Sequence, residues 1–256
     1  MGRLKTLIHI HTNYSFDSDI SIDALAGFAR SQGLGCLAVT DHDTIEGARR
    51  LADRGDVDVI VGSEVSTRDG HLIGLFLTED VPRAMSARDT AIAIHEQGGL
   101  VLLPHPFVTV VNVALGRRAY EIADFIDAVE VNNAQNALAG PDRRADAFAD
   151  ELGLAKFVGA DTHSVRSIAP CYQIMPEFNG PDDFLQALRS AELIRGRHTF
   201  RYFVDLAGRT LLRMCGLPLP RGFGTEFRSE LHGDSQRVSV ARQRRRGPGV
   251  EPTGLG

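Results

Sequence analysis

The sequence predicts an α/β protein, a distorted seven-stranded β/α barrel. Two observations carry the architecture. Short apolar, β-rich runs recur between Leu4 and Ala160 with helical segments between most of them, the pattern of a parallel sheet covered by helices. One such run after another is also followed by a residue able to bind a metal, as at the C-terminal rim of a barrel. A chain of 256 residues, 43% hydrophobic and 24% charged, suits one domain of that size.

Strands are expected at Leu4 to His11, Cys36 to Thr40, Asp58 to Ser63, His71 to Leu77, Leu100 to Leu103, Ala128 to Val131 and Lys156 to Ala160. Ser21 caps an apolar-periodic helix that ends at Gly33, and Asp43 with Glu46 reads as a capping box. A further helix runs from Ala87 to about Gln97, closed by Gly98 and Gly99. Only Thr67 to Gly70 separates the third strand from the fourth, a turn too short for a crossover helix, so the barrel is expected to be irregular there. The barrel domain is assigned to residues 1–200. A helical segment follows at 201–217, centred on Tyr202 to Cys215, and a basic tail without fixed structure at 218–256.

Composition excludes several roles. A formal net charge of -5 gives no overall electrostatic reason for binding nucleic acid or an anionic membrane. Cys36, Cys171 and Cys215 are too few and too scattered for a disulfide framework or thiolate zinc sites, and no run approaches the ~20 apolar residues of a membrane span. A cytoplasmic protein acting on a small molecule is the expectation, with no membrane partner and an open oligomeric state. The Arg242 to Arg246 cluster lacks interleaved aromatic residues, so a nucleic-acid partner is not favoured.

His9 and His11 are two apart in a strand, which points both imidazoles to one side and Ile8 and Ile10 to the other. His42, Glu64, His105, Glu130, Asp161 and His163 fall at or near later strand ends, and Asp17 lies in the first loop. A barrel gathers such residues at one rim. Carboxylates packed that closely raise one another's pKa unless cations intervene, so divalent metals are expected.

The runs His9-Ile10-His11-Thr12-Asn13-Tyr14-Ser15, Thr40-Asp41-His42-Asp43, Gly62-Ser63-Glu64-Val65-Ser66, Pro104-His105-Pro106 and Asp161-Thr162-His163 resemble the PHP family, named for polymerase and histidinol phosphatase, and occur in family order. The resemblance implies a metal-dependent hydrolase-like barrel holding two or three divalent ions, commonly manganese, zinc or iron, and hydrolysing phosphate esters. It implies one ion on His9, His11, Glu64 and Asp161, a second bridged by Glu64 and bound by His105, and a third on Asp17, His42 and His163. Where some members supply a further His to the second ion, this chain has Val129 to Asn133. Glu130 or Asn132 would substitute, and both would face the same way on a regular strand.

A phosphoric ester hydrolase is therefore the expected enzyme, a phosphatase or phosphodiesterase on a small phosphorylated metabolite, nucleotide or oligonucleotide, with metal-activated hydroxide attacking phosphorus. Asp161 is the candidate proton acceptor, and His163 or, less favoured, His71 the candidate donor. Arg166, and Arg117 or Arg118, are candidates for gripping the phosphate. His95, His198 and His232 are left out of the site. Asp41 is assigned loop hydrogen bonding and Asp43 helix capping. Two other classes are weighed: a metal-dependent C–N or C–O hydrolase, and a metal-stabilised module without catalysis.

Overall fold

The computed structural model describes residues 2–109, 113–164, 168 and 171–198. In chain order it contains β1 (Arg3–Ile10), α1 (Ile22–Gln32), β2 (Cys36–His42), α2 (Glu46–Arg54), β3 (Asp58–Ser66), β4 (His71–Leu75), α3 (Ala87–Glu96), β5 (Leu100–Leu103), a 3-10 helix (Gly116–Phe125), β6 (Ala128–Asn133), α4 (Ala139–Leu152), β7 (Ala155–Thr162), β8 (Tyr172–Pro176), α5 (Pro181–Arg189) and β9 (Glu192–Ile194). The expected Tyr202 to Cys215 helix and the basic tail lie outside the described residues. No described helix is long and apolar enough to cross a membrane.

Strands β1 to β7 pair in sequence, and β1 bonds to both β2 and β7, which closes a seven-stranded barrel. All pairs in the ring are parallel except those of β4, which runs against both β3 and β5. The cause is local: the chain turns over Thr67 to Gly70, where the Thr67 N–H bonds Gly70 O at 3.0 Å. A reversed strand begins where its neighbour ends, so His71 opposite Ser66 stands on the same rim as the C-terminal ends of the other strands.

Two strands lie beyond the seven expected. β8 pairs antiparallel with the first half of β1, from Arg3 opposite Pro176 to Thr6 opposite Gln173, and β9 extends it. The interior of the ring is one buried cluster drawn from alternate residues of all seven strands, among them Ile8, Ala38, Ile60, Ile73, Leu102, Ala128 and Phe157. Phe184 of α5 joins the same cluster and packs edge-on against Phe76, just past the end of β4. α5 thus closes the barrel at the end opposite His71. Outside the ring, α1 and α2 cover Leu7, Ile10, Leu37 and Val39. α3, the 3-10 helix and α4 cover Val65, Val101, Val129 and Val131.

Two bulges overturn the simple alternation assumed for β1 and β6. Ile8 pairs with Ala38 but Ile10 pairs with Val39, so two steps of β1 oppose one of β2. His9 is the extra residue, at φ 67°. Ile8 accordingly fills the interior while Ile10 packs outward beneath α1 and α2; they do not share a face. In β6 the register slips between Glu130 and Asn132. Glu130 stays inside, whereas the Asn132 amide turns to Gly196 O at 3.0 Å, so these two do not face the same way either.

Ser21 caps α1 by accepting the Ala24 N–H, and Gly33 ends that helix in the left-handed region, both as expected. The capping box at Asp43 and Glu46 does not form. The N-cap of α2 is Ile45, whose N–H bonds Asp80 Oδ1 at 2.8 Å, and Asp43 instead accepts the Ser66 N–H at 2.7 Å. Asp43 is drawn away because its backbone, at φ 57°, aims the carboxylate at β3.

Candidate metal centre

The rim gathers His9 and His11 from β1, Asp17 from the following loop, His42 from β2, Glu64 from β3, His71 from β4, His105 after β5, Asp161 from β7 and His163 just beyond it. Glu64 is the hub. Its Oε2 lies 3.1 Å from His9 Nε2, 3.2 Å from His11 Nε2 and 3.6 Å from His42 Nδ1, and its Oε1 lies 2.8 Å from His71 Nδ1 and 2.9 Å from His105 Nε2. Asp161 Oδ1 approaches the same two nitrogens, at 3.6 Å from His9 Nε2 and 3.7 Å from His11 Nε2. Beside them, Asp17 Oδ2 lies 3.2 Å from His163 Nε2 and 3.4 Å from His42 Nε2.

Among the described residues, four sets of potential donor atoms each lie within 4.8 Å of one another: His9, His11 and Asp161; His9, Glu64 and His105; His42, Glu64 and His71; and His11, Asp17, His42 and His163. All eight metal-ligand candidates named from the sequence are therefore together, and His71, considered only as a proton donor, joins them. The signal for it was the four-residue turn before His71, which implies a reversed strand and hence a residue on this rim.

Glu130 takes a different place from the one considered. Its Oε1 lies 2.8 Å from His9 Nδ1, and its Oε2 accepts the His105 N–H at 2.6 Å and the Asn133 amide at 2.9 Å. It sits behind His9, where a carboxylate fixes the ring and leaves the other nitrogen facing the centre. Asn133 also donates to Asp161 Oδ2 at 2.8 Å. Gln135 donates to Asp161 O at 2.7 Å and lies 3.2 Å from His163 Nδ1. These two amides were not read from the sequence, because the bulge in β6 decides which residues of that segment point inward.

Three of the clustered residues hold strained backbone: His9, His105 and Asp161 all have positive φ. L-residues visit that region at a cost that surrounding structure must offset, and such outliers concentrate at functional sites.

Carboxylates and imidazoles in the cluster set one another's charge. Burial alone would raise Glu64 and Asp161, yet the surrounding imidazoles outweigh it and hold both carboxyls well below their ordinary values. Burial likewise works against a proton on His42, but Glu64 and Asp17 lift it to about 9. His11 goes the other way, down to about 3, through burial first and then its neighbours His163 and His42. His11 Nε2, Asp17 Oδ1, His42 Nδ1 and His105 Nδ1 are buried without a hydrogen-bond partner among the described residues. An unsatisfied buried nitrogen is costly. A lone pair on His11 Nε2, beside two carboxylate oxygens, fits a divalent cation.

Elsewhere, Arg117 is exposed near the start of the 3-10 helix, which the bond from Gly116 N–H to Pro106 O, 2.9 Å, holds beside the His105 loop. Arg118 reaches Asp69 at 3.5 Å. Arg166 lies outside the described residues. His95 pairs with Asp127 at 3.0 Å, and His198 bonds Ala160 O at 3.1 Å; neither belongs to the four donor sets. Asp41 does take loop hydrogen bonds, from Thr12 and Ser15.

The profile of the PHP domain matches residues 8–138, and that of the PHP-associated region matches residues 141–193. The chain belongs to the PHP family. This PHP protein is 38% identical over 144 residues to an uncharacterized protein of Methanocaldococcus jannaschii, a match covering 51% of this chain and 82% of that one. It is 28% identical over 134 residues to a 5'-3' exoribonuclease of Haemophilus influenzae, covering 50% of this chain and 41% of the relative. Among solved structures, a two-domain protein of Bacteroides vulgatus containing a predicted PHP-like metal-dependent phosphoesterase superposes with a TM-score of 0.61 at 17% identity, over 76% of this chain and 65% of that one. That likeness extends the PHP barrel across most of the described residues.

Proposed function

We propose that this PHP protein is a divalent-metal-dependent hydrolase of phosphate esters, a phosphatase or phosphodiesterase acting on a small phosphorylated metabolite, a nucleotide or an oligonucleotide. The observation that supports it best is Glu64, a buried carboxylate facing His9, His11 and His42 with one oxygen and His71 and His105 with the other. A carboxylate shared in that way suits a bridge between two ions. On this reading His9, His11, Glu64 and Asp161 hold one ion, Glu64, His71 and His105 a second, and Asp17, His42 and His163 a third.

Ions held there would supply water of lowered pKa and positive charge beside the phosphoryl oxygens, and manganese, zinc and iron all accept such donors. The chain's own groups do the rest. Asp161, steadied at Oδ2 by Asn133, keeps Oδ1 as the proposed proton acceptor. His163 has Nδ1 against Gln135 and the Asp161 carbonyl, which leaves Nε2 as the nitrogen toward Asp17. One nitrogen cannot both bind an ion and give up a proton, and beside Asp17 the ligand role is the one we assign. Arg117, next to the His105 loop, is the proposed contact for the phosphate.

The test is a manganese-loaded protein offered an aryl phosphate, a panel of phosphorylated metabolites and dinucleotides, and an N-acyl amide. Turnover of phosphate esters that stops on chelation and returns with metal is the expected result. Amide cleavage without phosphate turnover would replace this reading with a C–N hydrolase. Bound metal with no turnover of any substrate would leave a metal-stabilised module.

A further inference from the structure

One hydroxyl joins the loop after β1 to the end of β2. Ser15 Oγ lies 3.1 Å from His11 Nδ1, accepts the His42 N–H at 2.9 Å, and donates to Asp41 Oδ1 at 3.0 Å. Asp41 is held from its other side by Thr12, whose N–H donates to Oδ1 at 2.5 Å and whose hydroxyl donates to Oδ2 at 2.8 Å. Gly47, in the first turn of α2, completes the seat, because a Cβ there would collide with Asp41 Oδ2 and Thr12 Oγ1. Ser15 and Asp41 are both buried.

The direction of each bond follows from valence. A serine hydroxyl has one hydrogen and two lone pairs. Its hydrogen goes to the carboxylate, which only accepts, and one lone pair takes the His42 N–H. What faces His11 is the remaining lone pair, so His11 Nδ1 must carry the ring proton. The lone pair of the neutral ring then sits on Nε2, the buried nitrogen without a hydrogen-bond partner, 3.2 Å from Glu64 Oε2 and 3.7 Å from Asp161 Oδ1.

We infer that Ser15 and Asp41 are positioning residues that set the tautomer of His11 and so present Nε2 to a divalent cation. The consequence for metal binding rests on the reading of His11 as a ligand; the placement of the proton rests on the hydrogen bonds alone. Ser15→Ala removes the acceptor and frees the ring to protonate Nε2. Asp41→Ala removes what orients the Ser15 hydrogen. Asp41→Asn restores the arrangement, because the Thr12 N–H requires an oxygen at the Oδ1 position and that oxygen still accepts from Ser15.

The experiment uses the full chain, stripped of metal and labelled with 15N in histidine, together with calorimetric titration of Mn²⁺. His11 in the wild type is expected in the Nδ1–H form, with Ser15→Ala and Asp41→Ala shifting it toward Nε2–H and Asp41→Asn returning it. Mn²⁺ affinity should fall about 10- to 100-fold in the two alanine variants and recover in Asp41→Asn. An Nε2–H His11 in the wild type overturns the inference, whether or not the variants fold. So does a Ser15→Ala protein that binds Mn²⁺ as tightly as the wild type, or one that melts earlier with its tautomer unchanged. A wild type that shows the Nδ1–H form yet binds no Mn²⁺ upholds the tautomer and overturns the proposed metal centre instead.

Discussion

Glu64 Oε1 and His71 Nδ1 face each other at 2.8 Å across the β3–β4 hairpin. The pair exists because β4 runs backwards, which returns its first residue to the rim that β3 has just reached. Replacing His71 with Ala should therefore reduce bound metal and lower turnover more than tenfold, as losing a ligand costs at least what losing its supporting partner does. His95→Ala is the control: its ring pairs with Asp127, which also accepts the Val101 N–H at the far end of the barrel. Metal analysis with steady-state kinetics on both variants checks this, and equal behaviour would remove His71 from the centre.

Glu130 accepts from His105 N–H and from Asn133 at one oxygen and meets His9 Nδ1 at the other. Glutamine in its place turns one of those acceptors into a donor. Glu130→Gln should therefore weaken metal binding about 10- to 100-fold while the protein stays folded, measured by calorimetric titration and far-ultraviolet circular dichroism.

Gly159 lies against the same side chain, and a Cβ there would collide with Glu130 Oε1. Gly159→Ala should destabilise the fold by about 1–3 kcal/mol through overpacking, read from denaturant midpoints. An unchanged midpoint would mean that Glu130 has room to move.

The metal-free protein should lose stability on the alkaline side. His42 is opposed by burial but lifted to about 9 by Glu64 and Asp17, and His9, His105 and His163 are also raised. A raised histidine adds stability that is complete below its unfolded value of 6.5 and is lost as pH climbs through its folded value. His11, lowered to about 3, has the opposite sign and withdraws stability as pH falls below 6.5. The depressed carboxyls Glu64 and Asp161 add stability above their unfolded values of 4.5 and 3.8, lost only in stronger acid. The melting temperature of the metal-free form should thus fall between 6.5 and about 9, while the metal-loaded form, its ligands already deprotonated by the ion, should not follow. Differential scanning fluorimetry of both forms across that range decides it; parallel curves would contradict the assignment.

Phe184 offers a test of the fold away from the chemistry. Fully buried in the barrel interior, it should cost about 3–5 kcal/mol when cut to Ala, visible as a lower unfolding midpoint with metal content of the folded protein unchanged.

Much of this was legible in the chain itself. The seven ring strands, the Ser21 and Gly33 caps and the hairpin at Thr67 to Gly70 follow from short-range patterns, since apolar runs, capping hydroxyls and tight turns act over a few residues. The candidate ligands were legible because a barrel of any exact shape sends strand ends to one rim. The strands after β7 carry little signal of their own because β8 and β9 are only five and three residues long and gain their identity from pairing, β8 on β1 and β9 on β8.

What the amino acids determined alone was which residue types reach the end of each strand, and hence a centre of imidazoles and carboxylates. What only the folded chain decided was their orientation. Bulges at His9 and after Glu130 shift side chains between faces, placing Ile10 outward, Glu130 behind His9 and Asn133 beside Asp161. A bulge is set by how two strands distant in sequence twist against each other, and a strand that alternates regularly on paper carries no mark of the partner that makes it slip.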